Sequence, residues 1–410
     1  MKRIPFYSFL AATAISLIGN YLTMIAVPWF VLELTGSAAR TGLAGFFTAL
    51  PAVIATFFGG TVVDRVGHRR MSILSDIGSG VTVAMIPLFY SSIGLPFWLL
   101  LTLVFFSALL DAPGSTARAS LLPDLAQAAG VDLERANAIQ QSLRRGAALV
   151  GPALSGVLIA WVGANNVLWL DAATFAVSAL IFFWAVPSGR VLGAEGTSYL
   201  EDLKAGLQFV RRNRLILTLM ITIAMTNFLD APLFSVVIPV YARRFYGEAT
   251  NLGLMISTFG GGALAGALLY GMFGRKFPRR PLFIGAFFLV GIPFWVLALT
   301  PSFPIVLGLL FISGLAAGPI NPLIMTAAQE RVPPGMRGRV FGLMTSGAYI
   351  ATPLGMLLIG YLVEFFSVTT TILFIAGGYF LVTTAQFFNQ VLSELEGNKE
   401  SHLIGGGSHE

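Results

Sequence analysis

Cysteine is absent from the 410 residues, so the chain forms no disulfide and offers no thiolate to a metal. Histidine is nearly absent. His68, His402 and His409 all fall in expected loop or tail segments, which excludes a histidine-based catalytic or metal cluster inside the apolar parts of the chain. Charge is scarce as well: Asp, Glu, Lys and Arg make up 11% of the sequence, against roughly a quarter in a soluble domain. No phosphate-binding loop is found. Gly260-Gly-Gly262-Ala-Leu-Ala-Gly266 lies within an apolar run, follows no strand and lacks a closing lysine-serine, so it reads as a helix-packing face. No nucleophile, acid–base pair or metal cluster converges in sequence, so an enzyme is the least favoured class and no cofactor or metal is expected.

What is present is apolar. Hydrophobic residues account for 56% of the chain and the mean hydropathy is +0.81, more than a soluble fold can hide. Runs of 18 or more apolar residues recur, each long enough to cross a ~30 Å hydrocarbon core. Twelve spans are expected, at 6–33, 41–63, 71–91, 96–120, 143–163, 166–186, 215–241, 251–273, 281–299, 303–327, 339–363 and 368–390. Six precede the polar stretch 187–214 and six follow it. The expected fold is therefore an all-α membrane protein with a six-helix bundle at 1–190, a cytoplasmic linker at 191–214, a second six-helix bundle at 215–390 and a polar tail at 391–410. In the linker, apolar and charged residues alternate from Tyr199 to Arg212, the pattern of an amphipathic helix at the membrane surface. Pro123 to Arg145 reads as a second connection of this kind, with Asp132 and Glu134 near a helix start. Lys2 and Arg3 precede the first apolar run as in a signal peptide, but no small-residue cleavage site follows, so the run reads as a retained span.

The net charge of +6 and isoelectric point near 9.7 follow from topology and do not call for a nucleic acid. With a cytoplasmic N-terminus, the external loops hold only Arg40, Arg243 and Arg244, which leaves 22 of the 25 basic residues inside. That bias places both termini in the cytoplasm. An internal repeat supports the two-bundle division. Gly60-Thr-Val-Val-Asp64-Arg65-Val-Gly67-His68-Arg69-Arg70 returns, degraded, as Gly271-Met-Phe-Gly274-Arg275-Lys276-Phe-Pro278-Arg279-Arg280, with three arginines at the same spacing and an offset of 210 residues.

Twelve spans in two halves, with Gly60, Asp64, Arg65, Gly67, Arg69 and Arg70 between spans two and three, resemble a major facilitator superfamily transporter over essentially the whole chain. The resemblance implies that this loop is a cytoplasmic gate, whose aspartate reaches across to the other half; the bland reading of Arg69 and Arg70 is anchoring at the cytoplasmic face. Span five carries Gly146, Gly151, Pro152 and Gly156, similar to the glycine-proline motif of the superfamily's antiporters, and span eleven echoes it around Pro353. Proline removes an intrahelical hydrogen bond and small residues permit close approach, so ordinary helix packing is the alternative. Val27-Pro28-Trp29, Ser120 to Asp124, Gly318 to Pro322 and Arg337 to Gly342 resemble a bacterial branch of drug/proton antiporters with Tap-like multidrug, macrolide and enterobactin exporters. Where many members of that branch place an acid after a glycine in span one, this chain has Gly19-Asn20.

An ionisable group within a span is costly, so each acid asks for a reason. Asp230, in the middle of span seven between Asn227 and Pro232, is the leading candidate to carry a proton, the alternative being a structural carboxylate bonded to a neighbouring helix. Asp111, Asp171 and Glu33 are the further candidates to couple protons, but Asp111 shares a helical face with Arg118 seven residues on, and a structural ion pair between them is the favoured reading. Asp171 and Glu33 read as groups in wet vestibules, and Asp76 as part of the charge network of the Gly60 to Arg70 loop. Asn20, Tyr21, Asn227, Phe228, Phe234 and Asn321 are the candidates to line a central cavity. The expected function is proton-coupled export of amphipathic small molecules by a monomer in the bacterial inner membrane. The alternatives are a dedicated exporter of one metabolite, such as a siderophore, and a non-transporting membrane scaffold or sensor.

Overall fold

The computed structural model describes residues 3–187 and 199–396; within them the side chains of 56–61, 64, 199–203 and 275 are outside the description. The expected linker stretch 191–198 and the tail beyond 396, with His402 and His409, lie outside the described residues. The first half consists of α1 (Ile4–Thr35), α2 (Ala38–Val66), α3 (His68–Ser92), α4 (Phe97–Ala129), α5 (Leu133–Val162) and α6 (Ala164–Ala185). The helix α7 (Tyr199–Arg212) follows. Span seven is α8 (Arg214–Pro232), a π-helical turn (Leu233–Val237) and α9 (Ile238–Tyr246). Then come α10 (Ala249–Phe273), α11 (Arg279–Leu297), and span ten as α12 (Phe303–Ala317) with α13 (Ile320–Arg331). Span eleven is α14 (Arg337–Tyr349) with α15 (Thr352–Phe365), and α16 (Val368–Phe388) closes the second half. Among the described residues, twelve helical stretches are long and apolar enough to cross a membrane, so this is a multi-pass membrane protein of two six-helix bundles.

One expectation about the loops changes. The amphipathic helix runs from Tyr199 to Arg212 as read, and Gly206 packs it against Leu343 and Arg339 of α14. The stretch from Pro123 to Arg145 is not a separate surface helix. Span four continues through Pro123 to Ala129, and α5 begins at Leu133, so the two spans project beyond the expected apolar limits and turn within a few residues. Leu121, Leu122, Leu125 and Ala126 stay buried against Phe6, Phe9 and Phe182, which is the packing that keeps the extension helical.

Gly67 alone joins α2 to α3, and its φ of 90° and ψ of 138° exclude a residue with a Cβ. That glycine lies at one end of the molecule with Arg65, Arg69, Arg70, Arg279 and Arg280, here called the basic end; the α1–α2 turn lies at the opposite end.

Proline and glycine divide the work of packing. Proline lacks the N–H that would bond the carbonyl four residues earlier, leaving an unpaired acceptor that lipid cannot satisfy. Three such carbonyls face glycines of neighbouring helices. Pro232 frees the Phe228 carbonyl, and a Cβ on Gly355 would sit 2.3 Å from it. Pro319 frees the Leu315 carbonyl, 2.0 Å from a Cβ on Gly266. Pro152 frees the Ala148 carbonyl, 3.3 Å from a Cβ on Gly260. At Gly355 and Gly266 only a bare Cα–H can approach so closely, while at Gly260 a Cβ would require the neighbour to give by a few tenths of an ångström; such contacts each contribute ~0.5–1 kcal/mol. Gly262, Gly266, Gly314 and Gly318 bring α10 and α12 into backbone contact along one line, so the glycine run at 260–266 is a helix seam.

Candidate functional site

The two halves meet at the end that carries the α1–α2 turn. A Cβ on Gly42 of α2 would come within 2.5 Å of the Met356 carbonyl and 2.8 Å of Gly360 Cα in α15. Across the molecule, a Cβ on Gly156 of α5 would lie 2.6 Å from the Ala249 carbonyl and 3.0 Å from Gly253 Cα in α10. Glu364, at the end of α15, joins the first seam. One carboxylate oxygen accepts from the Ala38 N–H at 2.7 Å, the Ala39 N–H at 3.2 Å and the Ser37 hydroxyl at 3.1 Å. The Ser37 oxygen accepts in turn from the Arg40 N–H at 3.2 Å. The opening N–H groups of α2 are thus satisfied largely by a carboxylate from the opposite half, which also faces the positive end of the helix dipole.

Toward the basic end the close glycine contacts, among the described residues, give way to a cavity. A cavity of about 210 Å³ lies between α2 and span eleven, lined by Ala49, Ala52, Val53, Ser346, Tyr349 and Thr352. Farther on, a Cβ on Gly146 of α5, or on Gly338 or Gly342 of α14, would meet nothing within 4 Å. Tyr21 of α1 packs on Gly151 and has Arg144 of α5 and Tyr349 of α14 as electrostatic neighbours, so side chains of both halves face one space here. Of the other cavity candidates, Phe228 is partly buried, Phe234 packs its ring on Phe259 at 4.5 Å between centroids, and Asn321 is exposed at the start of α13. The Asn227 amide donates to the Ala348 carbonyl at 2.9 Å. Span eleven breaks just beyond that carbonyl, so Asn227 replaces a helical bond lost there.

The first half holds a buried polar cluster drawn from α1, α3, α4 and α6. Arg118 donates to Asp76 and, at 3.0 Å, to the Ser16 hydroxyl; Ser178 donates to the other Asp76 oxygen at 2.7 Å. The expected Asp111–Arg118 pair is therefore not formed. Seven residues span about 10 Å of helix rise, whereas α3 presents Asp76 directly to the guanidinium. Asp76 accordingly belongs to the core, not to the loop network at the basic end, and it is fully buried. Asp111 keeps the Asn20 amide as a partner at 3.4 Å. Asp171 is not in a wet vestibule: it is fully buried, accepting from the hydroxyls of Thr23 and Thr174. Gly19 makes this possible, since a Cβ there would fall 2.2 Å from an Asp171 oxygen. Glu33 is exposed near the α1–α2 turn and accepts from the Trp29 indole at 2.7 Å.

In the second half, Asp230 accepts from the hydroxyl of Tyr379 in α16. The carboxyl points into its own bundle, two residues before Pro232 and directly before the π-helical turn. A widened turn leaves backbone groups imperfectly paired and is a recurrent feature of functional sites.

The gate motif is described in part: the side chains of Gly60 and Asp64 lie outside the description, and Arg65 and Arg70 are exposed. Arg69 donates to the carbonyls of Phe182 and Phe183 at the end of α6, where cations are favoured. In the second half the residue that does this is Arg280, which donates to the Phe387 carbonyl at the end of α16 at 3.1 Å. Arg279 instead forms a two-pronged pair with Glu330 at 2.6 and 2.8 Å, while Glu396 caps α11 by accepting from the Arg279 and Arg280 N–H groups. The repeat is thus one residue out of the register suggested by arginine spacing. Glu364, Tyr379, Thr23 and Ser178 were not singled out from sequence. Glu364 was the most accessible of them, as an acid closing an apolar span.

The sequence profile of the transmembrane secretion effector family matches residues 2–404. A multidrug efflux pump Tap of Mycobacterium tuberculosis is 34% identical over 386 residues, covering 92% of this chain and 91% of its own. Macrolide efflux protein A of Streptococcus pyogenes is 25% identical over 363 residues, covering 87% and 88%. Among solved structures, a bacterial homologue of the human lysosomal transporter Spinster, in an inward-facing and unoccupied conformation, matches with a TM-score of 0.77 at 15% identity over 96% of this chain and 97% of that one. A D-xylose–proton symporter matches with a TM-score of 0.74 at 15% identity, over 95% and 99%. At such identities the structures speak to the fold, while the profile and the relatives at one-third identity speak to descent. The chain belongs to the transmembrane secretion effector family of major facilitator superfamily transporters.

Proposed function

We propose that this protein is a secondary active exporter of amphipathic small molecules, drugs among them, driven by proton entry and working by alternating access in the bacterial inner membrane. The observation that carries the reading is a cavity between the halves beside a sealed end: glycine seams and the Glu364 cap join the halves at one end, and among the described residues a cavity of about 210 Å³ separates α2 from span eleven beyond them. The excess of basic residues orients the end away from the seams toward the cytoplasm, with both termini there. In that frame the glycine seams close the outer side, and rocking of residues 1–190 against 215–390 as a monomer would open it. The relatives named for multidrug and macrolide efflux support the substrate class and direction.

Asp230 is the proposed proton carrier. It sits at mid-span with a neutral hydroxyl as partner and beside a loosened helical turn. The Asp76–Arg118 pair serves as a structural strut, which leaves Asp111 and Asp171 as the secondary candidates of the first half. The test is transport in proteoliposomes under an imposed pH gradient, with a panel of dyes and macrolides. Wild type is expected to concentrate several of them against their gradients. Asp230→Asn is expected to lose the pH-driven component while still binding the compounds. Gradient-driven transport by Asp230→Asn as steep as wild type removes Asp230 from the role, and transport of a single metabolite only would assign a dedicated exporter.

A further inference from the structure

We propose that the groove between α10 and α11 is a binding site for one anionic phospholipid, with an acyl chain in the groove and the phosphate on Lys276. The groove has a volume of about 700 Å³. It falls within the ~300–1,000 Å³ range of sites that hold a small molecule. Its walls are Leu269 and Phe273 of α10, Leu282 and Leu289 of α11, and Ile312 and Leu315 of α12.

The groove does not face the other half. Gly253 and Gly260 turn α10 toward α5; at about 100° per residue, Leu269 and Phe273 lie roughly 180° and 220° around the helix from Gly260. They look sideways, into the plane where acyl chains lie. Any sideways groove of a membrane protein fills with lipid, so selectivity has to come from its mouth. There the short 3-10 turn Gly274–Lys276 places the Lys276 ammonium over the Phe273 ring, 5.5 Å from its centroid. Among the described residues the arginines nearby are engaged: Arg279 with Glu330, Arg280 with the Phe387 carbonyl and Arg331 with the Glu394 carbonyl. Lys276 forms no ion pair among the described residues. An apolar slot ending in an unneutralised ammonium is complementary to an acyl chain ending in a phosphate. A zwitterionic head group, which brings its own cation, fits less well. With the orientation proposed above, the mouth lies at the cytoplasmic leaflet, where anionic lipids supply ~1 kcal/mol of attraction per basic residue.

The test is native mass spectrometry of the full chain, purified in detergent and titrated with phosphatidylglycerol or phosphatidylcholine of matched chains. Wild type is expected to retain one phosphatidylglycerol in preference to phosphatidylcholine by about fivefold, the effect of one basic residue near an anionic surface. Lys276→Gln should abolish the preference. Gly285→Leu separates the site from general lipid adhesion, because a Cβ on Gly285 meets nothing within 4 Å and the larger side chain fills the groove without moving the protein. It is expected to lose the retained lipid at an unchanged melting temperature. Equal binding of the two lipids, or retention of phosphatidylglycerol by either variant at the wild-type level, overturns the proposal. So does Gly285→Leu displacing an efflux dye while lipid stays bound, which would make the groove a substrate port.

Discussion

Glu364 offers a direct measure of what holds the two halves closed. Glu364→Gln preserves the shape of the side chain and one acceptor oxygen, but removes the charge that faces the start of α2 and its Ala38 and Ala39 N–H groups. An anion at a helix N-terminus contributes ~0.3–1 kcal/mol when exposed and up to ~2 kcal/mol in a partly buried geometry. Glu364 is exposed, so a loss of about 0.3–1 kcal/mol is expected, a factor of roughly 2–5 in the ratio of closed to open seam. The chain has no cysteine, so spin labels can be introduced without background. Ile93→Cys and Leu299→Cys, 79% and 76% exposed at the seam end of opposite halves, form a suitable pair. Double electron–electron resonance should show the long-distance population growing by that factor in Glu364→Gln, while Glu394→Gln at the basic end leaves it unchanged. Identical distance distributions for wild type and Glu364→Gln would refute the argument that this carboxylate latches the halves.

Two further outcomes follow from the geometry. Gly42→Leu drives a side chain into the Met356 carbonyl, a backbone atom with little freedom to retreat, so the same spin-label pair should report an opened seam; an unshifted distance would mean that α15 adapts. Arg118→Ala strands the buried Asp76 and should cost about 3–5 kcal/mol, read as a fall in apparent melting temperature. The double change Arg118→Met with Asp76→Leu should recover most of that loss, and a single variant as stable as wild type would show that the pair carries no structural load.

The span count, the two-bundle division and the helix at Tyr199–Arg212 were legible in the sequence because membrane burial writes a strong signal: length and apolar content alone determine which segments cross. The identity of buried partners was not. Spacing along one helix suggested Asp111 for Arg118, yet which of Asp76 and Asp111 meets the guanidinium depends on how α3 is rotated against α4, and near-uniform apolar composition leaves that rotation unwritten. Asp171 looked wet for the same reason; its shelter comes from Gly19, a residue 152 positions earlier in the chain. Arginine spacing aligned Arg69 with Arg279, whereas the carbonyl each helix end presents aligns Arg69 with Arg280. Glu364 was visible as an acid but not as a cap, because nothing local joins position 364 to position 37.

The meeting of proline-freed carbonyls with glycines bears on how variation in this chain should be understood. Pro232 and Gly355, Pro319 and Gly266, and Pro152 and Gly260 are distant in sequence, yet each pair shares a single oxygen atom. A scan scoring one substitution at a time would treat the six positions separately and overlook that they meet in three pairs. Drift at one member is permitted only in step with the other, so the 21 prolines and 45 glycines are in part a linked vocabulary. One of these pairs, Pro152 with Gly260, crosses from one half to the other, which ties the evolution of the moving interface to a backbone defect inside a single helix.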